Sequence, residues 1–548
     1  MTRKPGLLLG AGVGLLLTAP LIAVQYLGSQ VAGLPFTPFD LFDWLARVLP
    51  GGVVTAGIDG LVRALTLLGL DVRELAKPVE GGLALAIFAG IGVLAGAGWF
   101  AAAPRIERLL QPESWAGPGV ALGGAAGLPM LLISLSVSEG HLNALHAAWI
   151  LAAFGGWGLA LAWVYHRLVG LPTGPTTITT LSGKQLTVEQ VGRRQFLIRL
   201  GGAAAAITVV GAGLSLIAPG RVTTRRTQLN ESAGGAEPVR PEDLPNRGAA
   251  VQPAPGTRAE YTPVSEHYRI DINVLPPVID GGRWALVLDG LVDRPLTLTI
   301  NDLRAYEAQS LYVTLSCISN GVGGPLIGTT RWTGVSMQRL LADVGVQPGA
   351  THLRITSQDG FYELVSLDLI NHDERVMLCY EWDGEPLTPE HGYPARIYVP
   401  DKYGMKQPKW ITRMEVTDRY AEGFWVARGW DEVARMDTTS VIDTVAVEAA
   451  YEEGGRRYVP IGGIAHGGAR GIAKVEVRVD GGEWVEAALR DPLSDLTWVI
   501  WRYDWPFEAG EHTFTVRAID GQGAPQIERV APPHPSGATG LHRTEVDL

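Results

Sequence analysis

The sequence predicts three parts in order: a bundle of membrane-spanning helices, a mixed α+β domain, and an all-β sandwich. The chain has 548 residues, more than one ordinary domain needs. Charged residues make up only 18%, below the roughly 25% that is usual. Residues 1–218 contain 13 Lys/Arg and 10 Asp/Glu, whereas residues 219–548 contain 32 and 46. An apolar first part therefore precedes an acidic, water-soluble second part.

This distribution excludes several classes of protein. The apolar first part excludes a wholly soluble enzyme, and the acidic second part argues against a nucleic-acid binder, which needs a basic face. The chain has two cysteines, Cys317 and Cys379. Two are too few for a disulfide scaffold, a Cys-ligated zinc site or a Cys₄ iron–sulfur cluster, and no C-x-x-C-H haem attachment motif is present.

Four stretches have about the 20 apolar residues that cross a bilayer, and a fifth is shorter and rich in small residues. With the N-terminus in the cytoplasm, nine Lys/Arg flank these spans inside and four outside, as the positive-inside rule requires. We therefore expect a multi-pass protein of the cell membrane with its C-terminal region on the extracytoplasmic side. The expected spans are 6–27, 82–103, 118–138, 144–165 and 201–218.

The stretch 39–70 interrupts its apolar residues with Asp43, Arg47, Asp59 and Arg63, which leaves one apolar helical face. This pattern favours helices that lie on the outer membrane surface in contact with lipid. A pair of additional spans is the alternative.

The segment GRRQFL (192–197) precedes the fifth span and resembles the twin-arginine export signal. That pathway exports proteins that have already folded around a cofactor. In the alternative interpretation, Arg193, Arg194 and Arg199 are ordinary positive-inside charges. The export interpretation is favoured because the last span and a large soluble region follow, so the signal would be internal and uncleaved.

The membrane part also contains His141, His146 and His166. Bis-His haem ligation needs two histidines that face each other at similar depth. His146 and His166 are twenty residues apart, about 30 Å along a helix, so they lie at opposite bilayer faces. We therefore predict no haem and interpret these histidines as interfacial polar residues.

Residues 219–258 are rich in Pro, Gly and charge, and they predict an extended linker. From 259 to about 420, short β-rich runs alternate with turns and with helical pieces at 335–345 and 366–371, which predicts a mixed α+β domain. The β-rich runs are WALVLDG, LYVTLSC, HLRITSQDG, ARIYVP and TRMEVTD.

Residues 435–548 show strand patterns only. AKVEVRVDGGEWVEAAL alternates with period two around an Asp-Gly-Gly turn, which predicts a hairpin. WVIWRYDWPF and HTFTVRAIDGQG follow at similar spacing, so we expect an antiparallel sandwich of immunoglobulin type. Core and rim positions, rather than a ligand box, are expected for Trp484, Trp498, Trp501 and Trp505.

Three segments of the middle part stand in a distinctive order: LSCISN (315–320), HGYPAR (391–396) and YGMKQPKW (403–410). Taken together, they resemble the sulfite oxidase family of molybdopterin enzymes. LSCISN (315–320) is similar to the family's strand-end loop, whose cysteine thiolate ligates molybdenum. HGYPAR (391–396) is similar to the segment whose His and Arg hold the pterin phosphate. YGMKQPKW (403–410) is similar to the loop whose Lys-Trp closes over the same cofactor.

The resemblance covers roughly 255–548 and implies the sulfite oxidase fold with a molybdenum–molybdopterin cofactor whose metal ligand is Cys317. The C-terminal sandwich resembles the family's dimerisation domain, which is compatible with a homodimer. The cofactor-binding residues that the resemblance implies are Tyr268, Arg269, Cys317, Ser357, His391, Arg396, Gln407 and Lys409.

These residue types also suit the chemistry on physical grounds. A thiolate is a soft ligand for a metal, and Cys317 ends an apolar strand at a Gly-rich loop. Cys379 has no such loop and is expected to be a small buried side chain. The guanidinium fork of Arg396 and the point charge of Lys409 suit a phosphate.

The resemblance implies less about the substrate. It places Arg269 opposite a substrate anion, and we count Arg269 and Trp430 with Cys317 as catalytic candidates. Sulfite oxidases carry a tyrosine at the end of a segment like W-x-x-R-x-Y, whereas WVARGW (425–430) ends in tryptophan here. An indole N–H replaces a phenol, which puts sulfite as the substrate in doubt.

The sequence thus predicts a membrane-anchored molybdopterin oxidoreductase that transfers an oxygen atom to or from a small oxyanion or sulfoxide. No haem domain is visible, so we expect a separate electron carrier, a cytochrome or a quinone-linked protein. One alternative is a reductase of sulfoxides such as methionine sulfoxide in exported proteins. Another is a non-catalytic membrane receptor that kept the fold, which the ordered set of Cys317, His391, Arg396 and Lys409 disfavours.

Overall fold

The structure is a computed structural model, and the chain divides into two compact units. One unit comprises residues 1–48, 77–229 and 273–275, and the other comprises 49–76, 230–272 and 276–548. The residues that the structure describes are 5–68, 70, 72–110, 114–138, 142–171, 176–179, 185–188, 193–217, 240 and 243–548. His141, Gly192 and residues 219–239 of the expected linker lie outside them.

The first unit is helical, and each of the five expected spans falls on a helix long and apolar enough to cross a membrane. The helical prediction is therefore confirmed for these segments. A two-stranded antiparallel sheet, β1 (Thr176–Thr179) with β2 (Gln185–Val188), precedes the last helix. The helices are α1 (Leu7–Ala32), α2 (Thr37–Val48), α3 (Gly51–Leu67), α4 (Val72–Leu110), α5 (Ala116–Val137), α6 (Ala144–Gly170) and α7 (Arg193–Ile217).

Glycines let pairs of these helices approach closely. A Cβ on Gly14 of α1 would lie 2.2 Å from the carbonyl oxygen of Gly92 on α4. A Cβ on Gly158 of α6 would lie 2.4 Å from the backbone nitrogen of Gly123 on α5. Small residues at helix contacts are typical of membrane bundles, where backbones gain packing by close approach.

The stretch 39–70 forms two helices, and they belong to different units. Helix α2 packs in the helical unit, where Asp43 accepts a hydrogen bond from the backbone N–H of Val274 at 3.0 Å. The Nζ of Lys77 donates to the carbonyl oxygen of Asn273 at 2.9 Å. Helix α3 belongs to the second unit. The domain boundaries expected from sequence, at 218 and 259, remain predictions.

The first sheet of the second unit has the order β4-β3-β12-β7-β8, with β3 and β12 parallel and the other pairs antiparallel. Its apolar face packs against short helices around fully buried Leu286, Leu288 and Met414. The elements are β3 (Leu286–Gly290), β4 (Leu296–Leu298), α8 (Ile300–Ala305), α9 (Met337–Val344), β7 (His352–Ser357), β8 (Tyr362–Ser366), α10 (Leu367–His372) and β12 (Ile411–Thr417).

The second sheet presents the candidate site. Its order is β10-β9-β6-β5, and β11 also pairs with β9. Together the two sheets confirm the mixed α+β prediction, including the five β-rich runs and both helical pieces. The strands are β5 (Gln309–Ser316), β6 (Ile327–Ser336), β9 (Met377–Trp382), β10 (Glu385–Pro386) and β11 (Arg396–Tyr398).

The C-terminal part contains two antiparallel sheets, in the orders β13-β15-β19-β18 and β17-β16-β20-β21, with β14 beside β15. The expected hairpin is confirmed because β16 pairs antiparallel with β17. Trp498, Trp501 and Trp505 are buried, as expected for core aromatics. The strands are β13 (Thr439–Val445), β14 (Tyr451–Glu453), β15 (Arg456–His466), β16 (Ile472–Val479), β17 (Val485–Glu486), β18 (Ala488–Leu489), β19 (Val499–Pro506), β20 (Glu511–Asp520) and β21 (His542–Asp547).

Residues 243–262 run along this C-terminal part before the chain enters the first sheet. The guanidinium of Arg258 forms an ion pair with Asp443, with a nearest N–O distance of 2.7 Å. Glu260 accepts from Arg490 at 2.9 Å. The end of the stretch that sequence assigns to a linker is therefore packed, and we refer to residues 243–262 as the strap.

Candidate active site

Cys317 follows the last residue of β5 and opens a closed loop. Its backbone N–H donates to the carbonyl oxygen of Leu326 at 3.0 Å, and its own carbonyl accepts from Asn320 at 3.0 Å. The side chain of Asn320 in turn accepts from the N–H of Leu326 at 2.9 Å. Strand β5 ends here because the chain then turns through a loop that contains glycines at 321, 323 and 324, and glycine allows backbone conformations that a β-strand does not use.

The thiol of Cys317 is almost fully buried, and its Sγ lies 3.0 Å from the Oγ of Ser319. Burial raises the pKa of this thiol, although the hydrogen bonds from Ser319 and the charge of Lys409 act in the opposite direction. A thiol with a raised pKa is neutral at pH 7, whereas a metal ligates the thiolate. Metal binding would therefore release a proton from Cys317.

Cys379 lies on β9 and is fully buried. Burial raises the pKa of its thiol far above the ordinary value. Cys379 is paired with Arg396 of the neighbouring strand β11, so it lies within a strand rather than in a loop. This confirms the expectation that Cys379 is a packed side chain.

Arg396 and Lys409 form the centre of a buried basic cluster. Arg396 donates to the carbonyl oxygen of His391 at 3.2 Å, and its guanidinium lies 4.3 Å from the ring centroid of Trp332. The Nζ of Lys409 donates to the carbonyl oxygens of Ile270 and Glu390 at 3.2 and 3.1 Å. Burial lowers the pKa of Arg396 to about 10 and that of Lys409 to about 8.

Aromatic rings and two imidazoles enclose this cluster. His391 lies 4.5 Å from Trp382 and 5.6 Å from His267 between ring centroids, and His267 stacks on Tyr268 at 4.9 Å. Burial lowers the pKa of His267 to about 3 and that of His391 well below its usual value. Both imidazoles are therefore neutral at pH 7 and can donate one hydrogen bond each without adding charge.

The expected turn at Ser357 meets the Lys-Trp loop. The backbone N–H of Gln358 donates to the carbonyl oxygen of Trp410 at 2.8 Å. Gln407 is buried and its amide nitrogen donates to the carbonyl oxygen of Lys402 at 2.9 Å. Tyr268 shares an apolar cluster with Cys317 and stacks on His267, which lies beside His391. Arg396 and Lys409 donate to the backbone of His391 and Glu390, whereas the Ser357 turn and Gln407 join them through the Lys-Trp loop.

The polar atoms of this region fit a phosphate-bearing cofactor. Among the described residues, no hydrogen-bond partner is found for the Oγ of Ser357, the Nε of Arg396 or the Oε1 of Gln407, although all three atoms are buried. Buried polar groups are normally paired. A bound anion would neutralise the two buried cations, Arg396 and Lys409. Its oxygen and nitrogen atoms would also provide hydrogen-bond partners for the unpaired donors and acceptors.

Arg269 lies with the basic cluster. Its Nε forms an ion pair with Asp271 at 2.8 Å, and the same carboxylate contacts the Nζ of Lys409 at 3.2 Å. Asp271 is a residue that sequence reasoning missed, because a lone acid in a loop carries no signal of its own. It offsets part of the positive charge of the cluster.

Trp430 belongs to a different apolar cluster, which also contains Ile318, Tyr403 and Met405. The structure therefore places the two substrate-facing candidates, Arg269 and Trp430, in separate groups of residues. The indole nitrogen of Trp430 is buried and has no hydrogen-bond partner among the described residues. Its ring lies 5.0 Å from that of His534.

His534 was missed by sequence reasoning because it lies in an irregular stretch of the C-terminal part, more than one hundred residues from Trp430 in sequence. The neighbouring carbonyl of Pro535 accepts from the N–H of Asp431 at 3.0 Å. The C-terminal part therefore supplies an imidazole beside the indole of Trp430.

Glu363 and Lys406 form a second missed feature. The Nζ of Lys406 lies 2.9 Å from an oxygen of Glu363, whose side chain is 0% exposed. Glu363 lies on β8, and Lys406 ends the short 3₁₀ turn Gly404–Lys406 immediately before Gln407. This buried ion pair fixes the loop that carries Gln407 and Lys409 to the first sheet.

Comparison with known proteins supports a cofactor assignment. Residues 273–425 match the model of the oxidoreductase molybdopterin binding domain. Sulfite oxidase from Arabidopsis thaliana is 29% identical over 276 residues, covering 41% of this chain and 70% of that protein. Human mitochondrial sulfite oxidase is 28% identical over 307 residues, covering 47% and 56%, so this chain spans about half of its length.

Two further proteins show lower similarity. The nitrate reductase [NADH] of Ulva prolifera is 25% identical over 272 residues, covering 40% of this chain and 31% of that protein. The sulfane dehydrogenase SoxCD from Paracoccus pantotrophus is a solved structure with a TM-score of 0.48 and 22% identity, covering 57% of this chain and 93% of that chain.

Proposed function

We propose that this chain, a molybdopterin-dependent oxidoreductase of the sulfite oxidase family, uses Cys317 as the metal ligand in two-electron oxygen-atom transfer at the outer face of the cell membrane. The observation that supports this most is that Cys317 shares an apolar cluster with Tyr268, whose ring stacks on His267 beside His391 and the buried Arg396. A phosphate clamp together with a loop-presented thiol suits the phosphate and the metal of a molybdopterin.

When bound, the cofactor would supply the redox step, and the chain would supply binding and charge. Arg396 and Lys409 would hold the phosphate, with Ser357 and Gln407 as further polar contacts on the cofactor. Neutral His391 and Tyr268 would line the cofactor without adding charge. Trp430 and His534 would shape the side of the site that approaches the Cys317 loop through Ile318.

A small oxyanion such as sulfite is the substrate class that the relatives' names suggest, with electrons passing to a separate carrier. Reduction of a sulfoxide is the second candidate, and two observations favour it. By the resemblance of residues 425–430, the indole of Trp430 takes the place of the phenol that sulfite oxidases carry, and the charge of Arg269 is partly neutralised by Asp271 at 2.8 Å. Steady-state assays with sulfite and with sulfoxides, using artificial electron carriers, distinguish these substrates.

Arg269→Ala is expected to raise the KM for sulfite by about 10- to 150-fold, because one desolvated charge-assisted contact contributes roughly 1.5 to 3 kcal/mol to binding. A neutral sulfoxide should be affected far less, since a dipole gains less than a full charge from a nearby guanidinium. Arg413→Ala is the matched control, because Arg413 is an exposed arginine on β12 that pairs with Asp289. An unchanged KM for sulfite in Arg269→Ala would remove Arg269 from the substrate side.

Membrane anchoring with an external catalytic region rests on the five apolar helices and on the positive-inside count. Arg193 and Arg194 begin α7, so they stand directly before the last of these helices. We propose that they form an internal twin-arginine signal for export of the folded, cofactor-loaded region.

The double substitution Arg193→Lys with Arg194→Lys is expected to keep residues 259–548 inside the cell while the first four spans insert. Both charges are retained, so the positive-inside balance is unchanged and only recognition of the arginine pair is tested. Protease accessibility of the C-terminal region in spheroplasts measures the outcome. Normal export of the Lys-Lys variant would mean that the pair acts only as topogenic charge.

A further inference from the structure

Helix α3 lies in sequence between two apolar helices of the membrane part, yet it packs in the unit that contains Cys317. Its half-buried and buried residues recur with helical spacing. Val54, Leu61 and Leu65 lie on the packed side, with Leu65 only 4% exposed. Leu67, two residues further along, is 87% exposed. The helix therefore packs one apolar stripe against the rest of the unit that contains Cys317, which we call the catalytic unit.

The first turn of α3 is held against the segment that precedes Trp430. A Cβ on Gly51 would lie 2.2 Å from the carbonyl oxygen of Arg428. This is closer than any side chain can approach a backbone atom, so glycine is required for the contact. A Cβ on the adjacent Gly52 would meet nothing within 4 Å.

The last turn of α3 and the start of α4 share an apolar cluster with Cys317. Leu65, Val72 and Ala76 belong to the same continuous apolar cluster as Tyr268 and Cys317. Contacts at both ends therefore place the helix along the catalytic unit from the Val426–Arg428 turn to the cluster around Cys317.

We propose that α3, which belongs to the same unit as Cys317, is a fixed cover that restricts the access of reagents to the thiol of Cys317. The proposal rests on the proposed function in one respect: it takes Cys317 as the centre of the site. Leu65 and Gly51 are the residues that hold this cover in place.

The chain contains only two cysteines, so thiol alkylation tests the cover directly. Full-length protein prepared without cofactor is treated with N-ethylmaleimide, and labelling at Cys317 and Cys379 is followed by mass spectrometry. Leu65→Asp is expected to accelerate labelling of Cys317 about ten-fold or more. A charge placed in a packed apolar contact weakens that contact by more than the 1.4 kcal/mol that a factor of ten requires.

Two matched controls lie on the same helix. Leu67→Asp introduces the same charge at an exposed position and should leave the rate at Cys317 unchanged. Gly51→Ala should accelerate labelling, whereas Gly52→Ala should not. Cys379 reports unfolding because it is fully buried in β9, and it should stay unlabelled in every variant. If Leu65→Asp also leads to labelling of Cys379, the milder variants Leu65→Ala and Leu67→Ala are compared instead. The labelling rate at Cys317 should then rise in Leu65→Ala and stay unchanged in Leu67→Ala.

Equal rates at Cys317 in the parent and in both buried-face variants, with Cys379 unlabelled, would overturn the proposal. Equal acceleration by buried-face and exposed-face variants would overturn it as well. The readout requires neither substrate nor cofactor, so a protein that turns over neither sulfite nor sulfoxide would contradict the proposed function while leaving the labelling result intact.

Discussion

Replacing Cys317 by serine is expected to abolish turnover and to reduce molybdenum in the purified protein from about one atom per chain. A serine hydroxyl does not ionise near pH 7 and is a hard ligand, so it cannot replace a soft thiolate. Loss of the ligand itself should exceed the roughly 10- to 100-fold effect that removal of an outer-shell partner has at metal sites. Metal analysis and steady-state turnover measure both quantities.

Cys379→Ser is the matched control, since it makes the same change at the other cysteine. Cys379 is fully buried opposite Arg396 in the strand pairing and lies in no loop, so turnover per bound molybdenum should persist. Equal turnover in Cys317→Ser and in the parent would refute the assignment of Cys317 as the ligand.

A comparably large effect, on stability, is expected at the buried ion pair of Glu363 and Lys406. Burial raises the pKa of Glu363, while the ammonium of Lys406 lowers it. Lys406→Met removes the compensating charge and leaves a carboxylate in an apolar site, which typically costs about 3–5 kcal/mol. We expect the thermal midpoint to fall by on the order of 10 °C. Molybdenum content should fall with it, because the loop of Gln407 and Lys409 loses its attachment.

A second substitution separates charge from shape. Glu363→Gln in the Lys406→Met background removes the stranded charge, so most of the lost stability should return. Without Lys406, the folded-state pKa of Glu363 lies above its unfolded value. The folded protein then binds more protons, and the stability loss should shrink as pH falls. Arg413→Met, at the exposed pair with Asp289, should cost no more than about 1 kcal/mol. A double variant as unstable as Lys406→Met would contradict this account.

The sequence predicts most strands and helices here because their local patterns agree with their environment. β5 and β12 lie within alternating or continuously apolar runs bounded by turn residues, and α9 has one apolar face. The thiol loop and the basic clamp were found because Cys317, Arg396 and Lys409 stand in motifs whose order is distinctive. Each of these residues is recognisable from the few residues on either side of it in the sequence.

Features that depend on distant pairing were not predictable. Glu363 is an ordinary polar residue of a short strand until Lys406, over forty residues later, lies against it. His534 becomes relevant only when the C-terminal part lies beside Trp430. The pattern of α3 indicates an amphipathic helix but does not indicate whether lipid or protein covers its apolar stripe.

The strap has a consequence for the timing of synthesis. Arg258 pairs with Asp443, 185 residues later, and Glu260 pairs with Arg490, 230 residues later. At about 5–20 residues per second, the ribosome completes Asp443 roughly 10 to 40 s after Arg258. Until then the strap emerges without these partners, exposed to chaperones and proteases. The strap therefore completes these contacts only after Arg490 has been translated, although the membrane helices have already been made.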